Sequence, residues 1–383
     1  MRICIIHQYF KTPQTGGAIR SYYIANYLKN LGHEVTVVTA RNNRAYNIDK
    51  SLGYDVHYLP VYYENHLSFL SRIHAFFLFV WKSKRLLKKL GRFDINYVIT
   101  TPLSTGFIAN YALRKFGTPY IFEVGDLWPE APIQLGVIKS PLIIRIARYY
   151  EKKFYNNAKT VVALSPDIEE NINTLVPNKQ VDVITNFSDP KLFETTGNTP
   201  NELEGKFIIS YIGTVGLANH LEYLIDCAKS VKYEKVQFII AGDGAHYSRV
   251  KELAEINGIN NITFYDKVDK AGVAKILSYT DGVYVSFDKA PILSTGSPNK
   301  FFDGLAAGKL IIINFKGWIK TFIEENECGF AYDPSNKDEF KTKLLSFLNN
   351  RELLNQAKNN SKSMSAEFIP EKQLRNIDSI ITR

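Results

Sequence analysis

Twice along this chain an apolar, β-branched run ends in a glycine-bearing loop, gives way to a helical stretch and is followed by another apolar run. RICIIHQYF, KTPQTGG, AIRSYYIANYLKNLG and HEVTVVTA read as strand, loop, helix and strand, with Gly32 closing the helix. INYVIT, PYIFEV and TVVALS continue the series. Strands alternating with helices indicate a parallel sheet covered on both faces. After VDVITNF come Ser188, Asp189, Pro190 and the polar, turn-rich TTGNTPNELEGK, which has the composition of a linker. A second series follows in FIISYIGT, VQFIIAGDG, ITFYDKV, GVYVSF and KLIIINF, and from about Asn336 the tail reads as helical. The fold class is therefore α/β, with two Rossmann-like domains in tandem. At 383 residues the chain exceeds what one hydrophobic core usually organises. A ligand shared by two such domains lies between them, at the carboxyl ends of the strands, where the glycine loops fall.

Cys4, Cys227 and Cys328 are scattered, a set that suits a reducing compartment and no structural zinc. MRICIIHQYF reaches polar residues too soon for a signal peptide, and no run approaches the ~18 apolar residues of a membrane span. The expected location is cytoplasmic. The net charge of +9 is uneven: residues 1–188 hold 23 Lys/Arg against 13 Asp/Glu, the remainder 24 against 25. A basic face of that size attracts phosphates on nucleic acid, anionic lipid or a pyrophosphate-linked substrate, and charge does not choose among them.

Gly16 and Gly17 lie between the first strand and a helix beginning near Ala18, where a ligand can approach the backbone and the helix N-terminus favours an anion. Arg20, in the first turn, either reaches a phosphate or is a solvated surface residue. The loop is not GxGxxG, and it also reads as a tight turn without a ligand. GTVGLANHLEYLIDCAK repeats the arrangement: Gly213, Thr214 and Gly216 follow a strand, and their amides could hold a diphosphate ahead of a helix near Asn219. The glycines also read as a turn required by packing. AGDG, with Gly242, makes room for a base or ribose or is a plain strand-to-helix turn, and Val268 closes the next strand's loop in the same candidate nucleotide site.

STGSPNKFFDGLAAGK carries the most information. Ser297 suits an N-cap, Pro298 the first helical position and Gly308 the C-terminal close, so a helix is expected over about 298–307. Asn299 and Asp303 share a face. Lys300 is electrostatically unfavourable beside a helix N-terminus, and an anion supplies a reason for it. Asp303 is placed to accept from ribose hydroxyls. A buried helix with a surface lysine is the plainer reading.

In FEVGDLWPEAP, Glu123, Asp126 and Glu130 lie past a strand with Trp128, a set suited to sugar hydroxyls, proton transfer and ring stacking; caps or ion pairs would use the same carboxylates. There is no DxD, HExxH or His/Cys pair at ligand spacing, so no metal is expected. His7 is expected to face the cleft and His33 to be structural. In LSFLSRIHAFFLFVWKSKRLLKKLGR, Phe69, Ile73, Phe76, Val80 and Leu87 form one stripe, with Arg72, Lys82, Arg85, Lys88, Lys89 and Arg92 displaced toward another face. Such a helix lies either in a bilayer interface or on a domain with a solvated basic side. Arg145, Arg148, Lys152 and Lys153 form a second basic patch.

With these residues laid out, the chain resembles the family 4 retaining glycosyltransferases over its whole length. HQYFKTPQTGGAIRSYYIANYLKNLGHEVTVVT is similar to the family's opening, VITNFSDPKLF to its hinge through Asn186 and Asp189, and SPNKFFDGLAAGK to its nucleotide-binding helix. GDLWPEAP together with SPNKFFDGLAAG resembles a branch that builds bacterial O-antigens and capsules and includes N-acetylfucosamine transferases. The resemblance implies the GT-B fold: an acceptor domain over 1–188, a nucleotide-sugar domain over 189–366, and a helix within 367–383 crossing back to the first. It implies Asp303 at ribose, Lys300 and Asn299 at the diphosphate, Gly17 at the donor–acceptor junction and Asp126 orienting the acceptor. Departures are plain: the family's first Glu of its ExxxxxxxE pair falls at Thr295, an acceptor-side histidine is replaced by Gly125, and the Arg and Lys after the GTVG-like loop are absent.

The implied reaction is metal-independent, cofactor-free transfer of a sugar from a UDP-sugar to a lipid-linked saccharide. Amides near Gly213–Gly216 and Ser297–Lys300 would stabilise the leaving diphosphate. The expected partners are the donor, the lipid-linked acceptor and other polysaccharide-assembly enzymes, with no nucleic acid, and the expected location is the inner face of the bacterial membrane. Three alternatives stand beside it. A UDP-amino-sugar epimerase of the same fold would need no acceptor. An NAD-dependent dehydrogenase predicts GxGxxG, which neither loop supplies. A basic nucleic-acid-binding protein leaves SPNKFFDGLAAGK unexplained.

Overall fold

The computed structural model describes residues 1–15, 19–42, 44–64, 67–194, 197, 199–336 and 338–383, with Phe69 described at its backbone alone. Eight strands form the first sheet: β1 (Arg2–Ile6), β2 (Glu34–Arg41), β3 (Asn47–Asp49), β4 (Asp55–Pro60), β5 (Ile95–Ile99), β6 (Tyr120–Val124), β7 (Thr160–Ala163) and β8 (Val181–Val183). Their spatial order is β3-β4-β2-β1-β5-β6-β7-β8, parallel except for the β3–β4 pair at one edge. Both faces are covered, as the sequence pattern requires: along β1, Cys4 and Ile6 enter one core while Ile3 and Ile5 enter the other. β3 and β4 were not anticipated, because NID and DVHYLP are short and interrupted by polar residues.

The second sheet comprises β9 (Phe207–Ile212), β10 (Val236–Ala241), β11 (Ile262–Tyr265), β12 (Gly282–Val285), β13 (Leu310–Ile313) and β14 (Gly329–Ala331), in the order β11-β10-β9-β12-β13-β14. All its pairings are parallel. Strand order therefore reverses between β1 and β5 in one domain and between β9 and β12 in the other. Crevices for ligands open at such reversals, beyond the strands' carboxyl ends.

The chain returns to the first domain at its end. Leu374, Ile377, Ile380 and Ile381 are buried in the same core as Ile3, Ile5 and Val35. Two short helices, Pro370–Leu374 and Ile377–Thr382, make this crossing rather than one continuous helix. His33 is tied to it, with Nε2 2.9 Å from Asp378.

The helix Phe69–Leu90 packs on the first sheet by the stripe that the sequence left open to a membrane. Phe76, Val80 and Leu87 are buried in the core and Ile73 is half-buried, so that stripe is a core face. Arg72 and Lys82 turn inward to the carbonyls of Leu67 and Pro60.

The two domains meet along one seam. The Ser165 hydroxyl donates to the Thr295 carbonyl at 2.6 Å, the Ile292 amide donates to the Gln134 side chain at 3.0 Å, and the Trp318 amide donates to Asp167 at 3.0 Å. The turn Pro13–Thr15 of the first domain also approaches the helix Lys270–Ser278 of the second.

Two glycine loops of the second domain are locked together. The Gly213 and Val215 amides donate to the carbonyls of Ala241 and Asp243 at 2.9 and 2.7 Å, and His246 returns a bond to Val215 at 3.0 Å. A Cβ at position 242 would lie 1.9 Å from the Gly213 carbonyl oxygen, far inside contact distance. Gly242 is thus needed for packing between β9 and β10. Gly242→Ala is expected to lower unfolding free energy by about 1–3 kcal/mol, an overpacking cost, measured by chemical denaturation.

Candidate active site

The helix Asn299–Ala306 begins at the second domain's crevice. It lies close on β12 and β13 because Gly304 leaves room where a Cβ would crowd Ile311 and Val283, and because Phe301, Phe302 and Leu305 bury their side chains. Pro298 occupies the capping position with no side-chain cap, so the helix starts one residue later than expected and Ser297 does not cap it. Ser297 faces the hinge instead. Its hydroxyl accepts from the Asn186 amide at 3.2 Å, and its carbonyl accepts from Asn186 Nδ2 at 2.5 Å. Among the described residues the amides of Asn299 and Lys300 have no acceptor, which leaves an uncapped positive helix end at the crevice.

Lys300 reaches from that end to the loop after β9. Its Cε lies 3.3 Å from where a Cβ on Gly213 would be, and its ammonium lies 4.4 Å from the Tyr211 ring centroid and donates to the Tyr211 hydroxyl at 3.3 Å. Among the described residues no carboxylate pairs with it. Burial pushes its pKa down to about 8, since the surrounding protein removes hydration without supplying an anion. Gly213, at φ 144°, holds the loop where Lys300 meets it. The Gly213 amide is taken by Ala241, as noted, whereas among the described residues the amides of Thr214 and Gly216 have no acceptor.

Asp303, one turn on, is nearly buried and heavily engaged. Lys270 Nζ bonds both its oxygens, at 2.7 and 2.8 Å, and the Ser188 hydroxyl donates to one of them at 2.7 Å. Lys270 also sits 5.4 Å above the Phe193 ring. Sequence reading missed Lys270, because it lies 33 residues from Asp303 and opens an ordinary helix without a motif. Asn299 is exposed on a crevice shared with Tyr23, Asn186 and Lys270. Val268 is half-buried and packs with Ala241 and Ile276, and Thr295 bonds the Ile292 carbonyl at the domain seam.

On the first domain, Asp126 stands two residues beyond β6 and is open to solvent. Although the residue reaches solvent, the protein packed around its carboxyl removes part of the hydration and raises its pKa above the ordinary carboxylate value, opposed by a 3.1 Å bond from the Thr101 hydroxyl. Thr101 holds φ 69°, a left-handed conformation that is strained for a β-branched residue, just past β5. That conformation has no sequence signature. Gly16 and Gly17 lie outside the described residues.

The remaining candidates take other places. Glu123 is fully buried, receives Arg20 Nε and Nη2 at 2.9 and 3.1 Å, and accepts from the Tyr97 hydroxyl at 2.5 Å. Arg20 also donates to the carbonyls of Thr185 and Ile184 at 2.6 and 2.9 Å. With four N–H groups engaged inside the protein, Arg20 is a structural tie and not a phosphate ligand. Glu130 pairs with Arg148 at 2.9 Å, and Trp128 stands edge-on to Phe76. His7 is buried rather than cleft-facing: it bonds Ser21 at 2.8 Å, and burial, with the nearby Arg20 charge, pushes its pKa down to about 3, so the ring is neutral. Among the described residues no three His, Cys, Asp or Glu side chains converge as a metal site.

Two family models divide the chain where its fold divides. A Glycosyl transferase 4-like domain matches residues 15–186, and a Glycosyl transferases group 1 model matches 194–364. The chain belongs to the GT-B glycosyltransferases. A relative named "Probable glycosyltransferase WbjE", from Pseudomonas aeruginosa, is 26% identical over 281 residues, covering 70% of this chain and 68% of its own. The Escherichia coli K12 protein WcaI, named for colanic acid biosynthesis, is 22% identical over 344 residues, covering 83% and 84%. Among solved structures, sucrose-phosphate synthase from Thermosynechococcus elongatus superposes with a TM-score of 0.81 at 16% identity, covering 100% of this chain and 98% of its own. Anabaena HepE in complex with UDP-glucose gives 0.73 at 14%, covering 100% and 99%.

In this GT-B chain the buried Arg20–Glu123 pair fastens the hinge to the first domain. Removing the guanidinium strands a carboxylate that has no access to water. Arg20→Met is expected to lower stability by about 3–5 kcal/mol in thermal or denaturant unfolding. Glu123→Gln is expected to cost less, because its amide oxygen still accepts from Arg20 and the guanidinium keeps its bonds to the Thr185 and Ile184 carbonyls.

Proposed function

We propose that this glycosyltransferase moves a sugar, with retention of configuration, from a UDP-sugar to a lipid-linked saccharide during bacterial surface polysaccharide synthesis. An N-acetylated deoxyhexosamine is the proposed donor sugar. The observation that carries the reading is Lys300: a desolvated cation without an anionic partner, set between an uncapped helix end and the loop after β9. A diphosphate supplies the missing charge, and the open amides of Thr214, Gly216, Asn299 and Lys300 supply donors for its oxygens. Cation and amides together stabilise the leaving group without calling on a metal.

The step is a displacement at the anomeric carbon. The bond from that carbon to the β-phosphate oxygen breaks, and a bond to the acceptor oxygen forms on the same face. The acceptor's proton passes to the departing phosphate, which leaves UDP and the lengthened saccharide. Asp126, held by Thr101, orients the acceptor hydroxyl. Asp303 is proposed for the ribose, with Lys270 fixing its carboxylate. WbjE and WcaI favour transfer over acceptor-free epimerisation, and the UDP-glucose in HepE favours a uridine donor.

Lys300→Ala is expected to cut transfer by about 10²-fold, read as UDP release from a UDP-sugar panel in the presence of lipid-linked saccharide. The pH dependence has a definite sign. Below about 8 Lys300 is already protonated and UDP binds without proton uptake; above that value binding must first recharge the lysine. UDP affinity measured by calorimetry should therefore fall by up to about tenfold per pH unit above about 8, and Lys300→Ala should flatten the profile. Normal transfer by Lys300→Ala would refute the assignment. Asp126→Asn is expected to lower transfer by about 10²-fold while leaving UDP affinity within about twofold.

A further inference from the structure

We propose that one face of the first domain, formed by the helices Phe69–Leu90, Gly106–Phe116 and Pro141–Asn157, docks on an anionic lipid bilayer. The inference rests on the lipid-linked acceptor proposed above and names the surface that meets it.

The apolar stripe legible in the first of these helices is core, so it cannot be the contact; the structure exposes a different set. Phe77 and Trp81 are 53% and 52% exposed, and Leu142 and Ile143 are 67% and 53% exposed, with Ile146 and Tyr149 on the same helical face. Large apolar side chains clustered in water are not explained by packing. Rings join the two groups: Phe77 lies 6.1 Å from Phe107, Phe107 4.7 Å from Tyr150, and Tyr150 5.3 Å from Tyr149.

Charge identifies the occupant. The three helices carry 12 Lys and Arg against one acid, Glu151, which is buried. Arg85 lies 4.7 Å over the Trp81 ring, and Lys84 stands near the rings of Phe107 and Tyr111, so cations border the apolar patch. Exposed apolar side chains ringed by cations suit the boundary between acyl chains and anionic headgroups. A second copy of the chain meeting this face by twofold symmetry would bring like charges together.

The helices that carry this face also flank the loop after β6. Trp128 packs edge-on to Phe76 of the first helix, and Glu130 pairs with Arg148 of the third, so residues 128–130 sit across both. A bilayer held here brings a lipid-anchored saccharide beside Asp126.

The test is co-sedimentation of the full chain with vesicles of phosphatidylglycerol and phosphatidylethanolamine, against vesicles of phosphatidylcholine alone. Binding is expected to the anionic vesicles, weakening as salt is raised to about 0.5 M. Ile143→Asp/Ile146→Asp, and separately Trp81→Ser, should reduce it by about tenfold or more with unchanged circular dichroism. Equal binding of wild type and both variants overturns the proposal, as does wild type that ignores anionic vesicles. So does a wild-type dimer in light scattering that these substitutions dissociate. UDP titration of the same samples separates the two readings: vesicle binding without UDP binding sinks the transferase mechanism alone, and UDP binding without vesicle binding sinks the docking face alone.

Discussion

The buried pair of Arg20 with Glu123 is the contact on which the geometry between the domains depends. Its guanidinium holds a strand end of the first sheet and, with its other N–H groups, two successive carbonyls of the hinge. The next hinge residue, Asn186, grips Ser297, and two residues later Ser188 grips Asp303. One short segment thus ties the first sheet to the first turns of the helix that carries Lys300. A charge pair excluded from water tolerates little displacement, because separating it exposes two unsolvated ions to each other's absence. The position of the helix Asn299–Ala306 relative to Asp126 follows from that constraint and from the Ser165–Thr295 bond across the seam.

The same constraint accounts for the helix start. A serine before a proline ordinarily turns its hydroxyl onto the helix amides. Here the hydroxyl is taken by the hinge, and the amides of Asn299 and Lys300 are left open. An uncapped helix end costs stability unless something else fills it. Placed beside a lysine that burial has made easier to deprotonate, the open end is complementary to a group that brings negative charge and several acceptor oxygens together.

Periodicity and punctuation made the two-sheet plan legible: long apolar strands, the polar break after Ser188 and the helix at SPNKFFDG all stand in the sequence. β3, β4 and β14 were not legible, since runs of three to six residues carry little pattern and their strand character comes from their neighbours. Within the site, Lys300 could be read because a lysine at a helix start contradicts the helix dipole. Arg20, Glu123 and His7 were misplaced for a common reason. Each follows or ends a strand where ligands bind, but sequence cannot say on which side of the strand a residue points or what lies opposite. Lys270 and Thr101 gave no local signal at all, the one defined by a partner 33 residues away and the other by a backbone angle.

On the first domain, solvation sets the state of a carboxylate as much as contact does. The pKa of Asp126 is raised by desolvation and its carboxyl is supported by a single hydroxyl, whereas Glu123, three residues earlier, is ion-paired with a guanidinium and accepts from a phenol. Two carboxylates so close in sequence therefore serve opposite ends: the buried one holds the frame, and the open one reaches the surface of the first domain. The distinction comes from the strand's end. Glu123 is the penultimate residue of β6 and is locked in the sheet, while Asp126 lies beyond Gly125, where the chain has left the sheet and meets Thr101 past the end of β5.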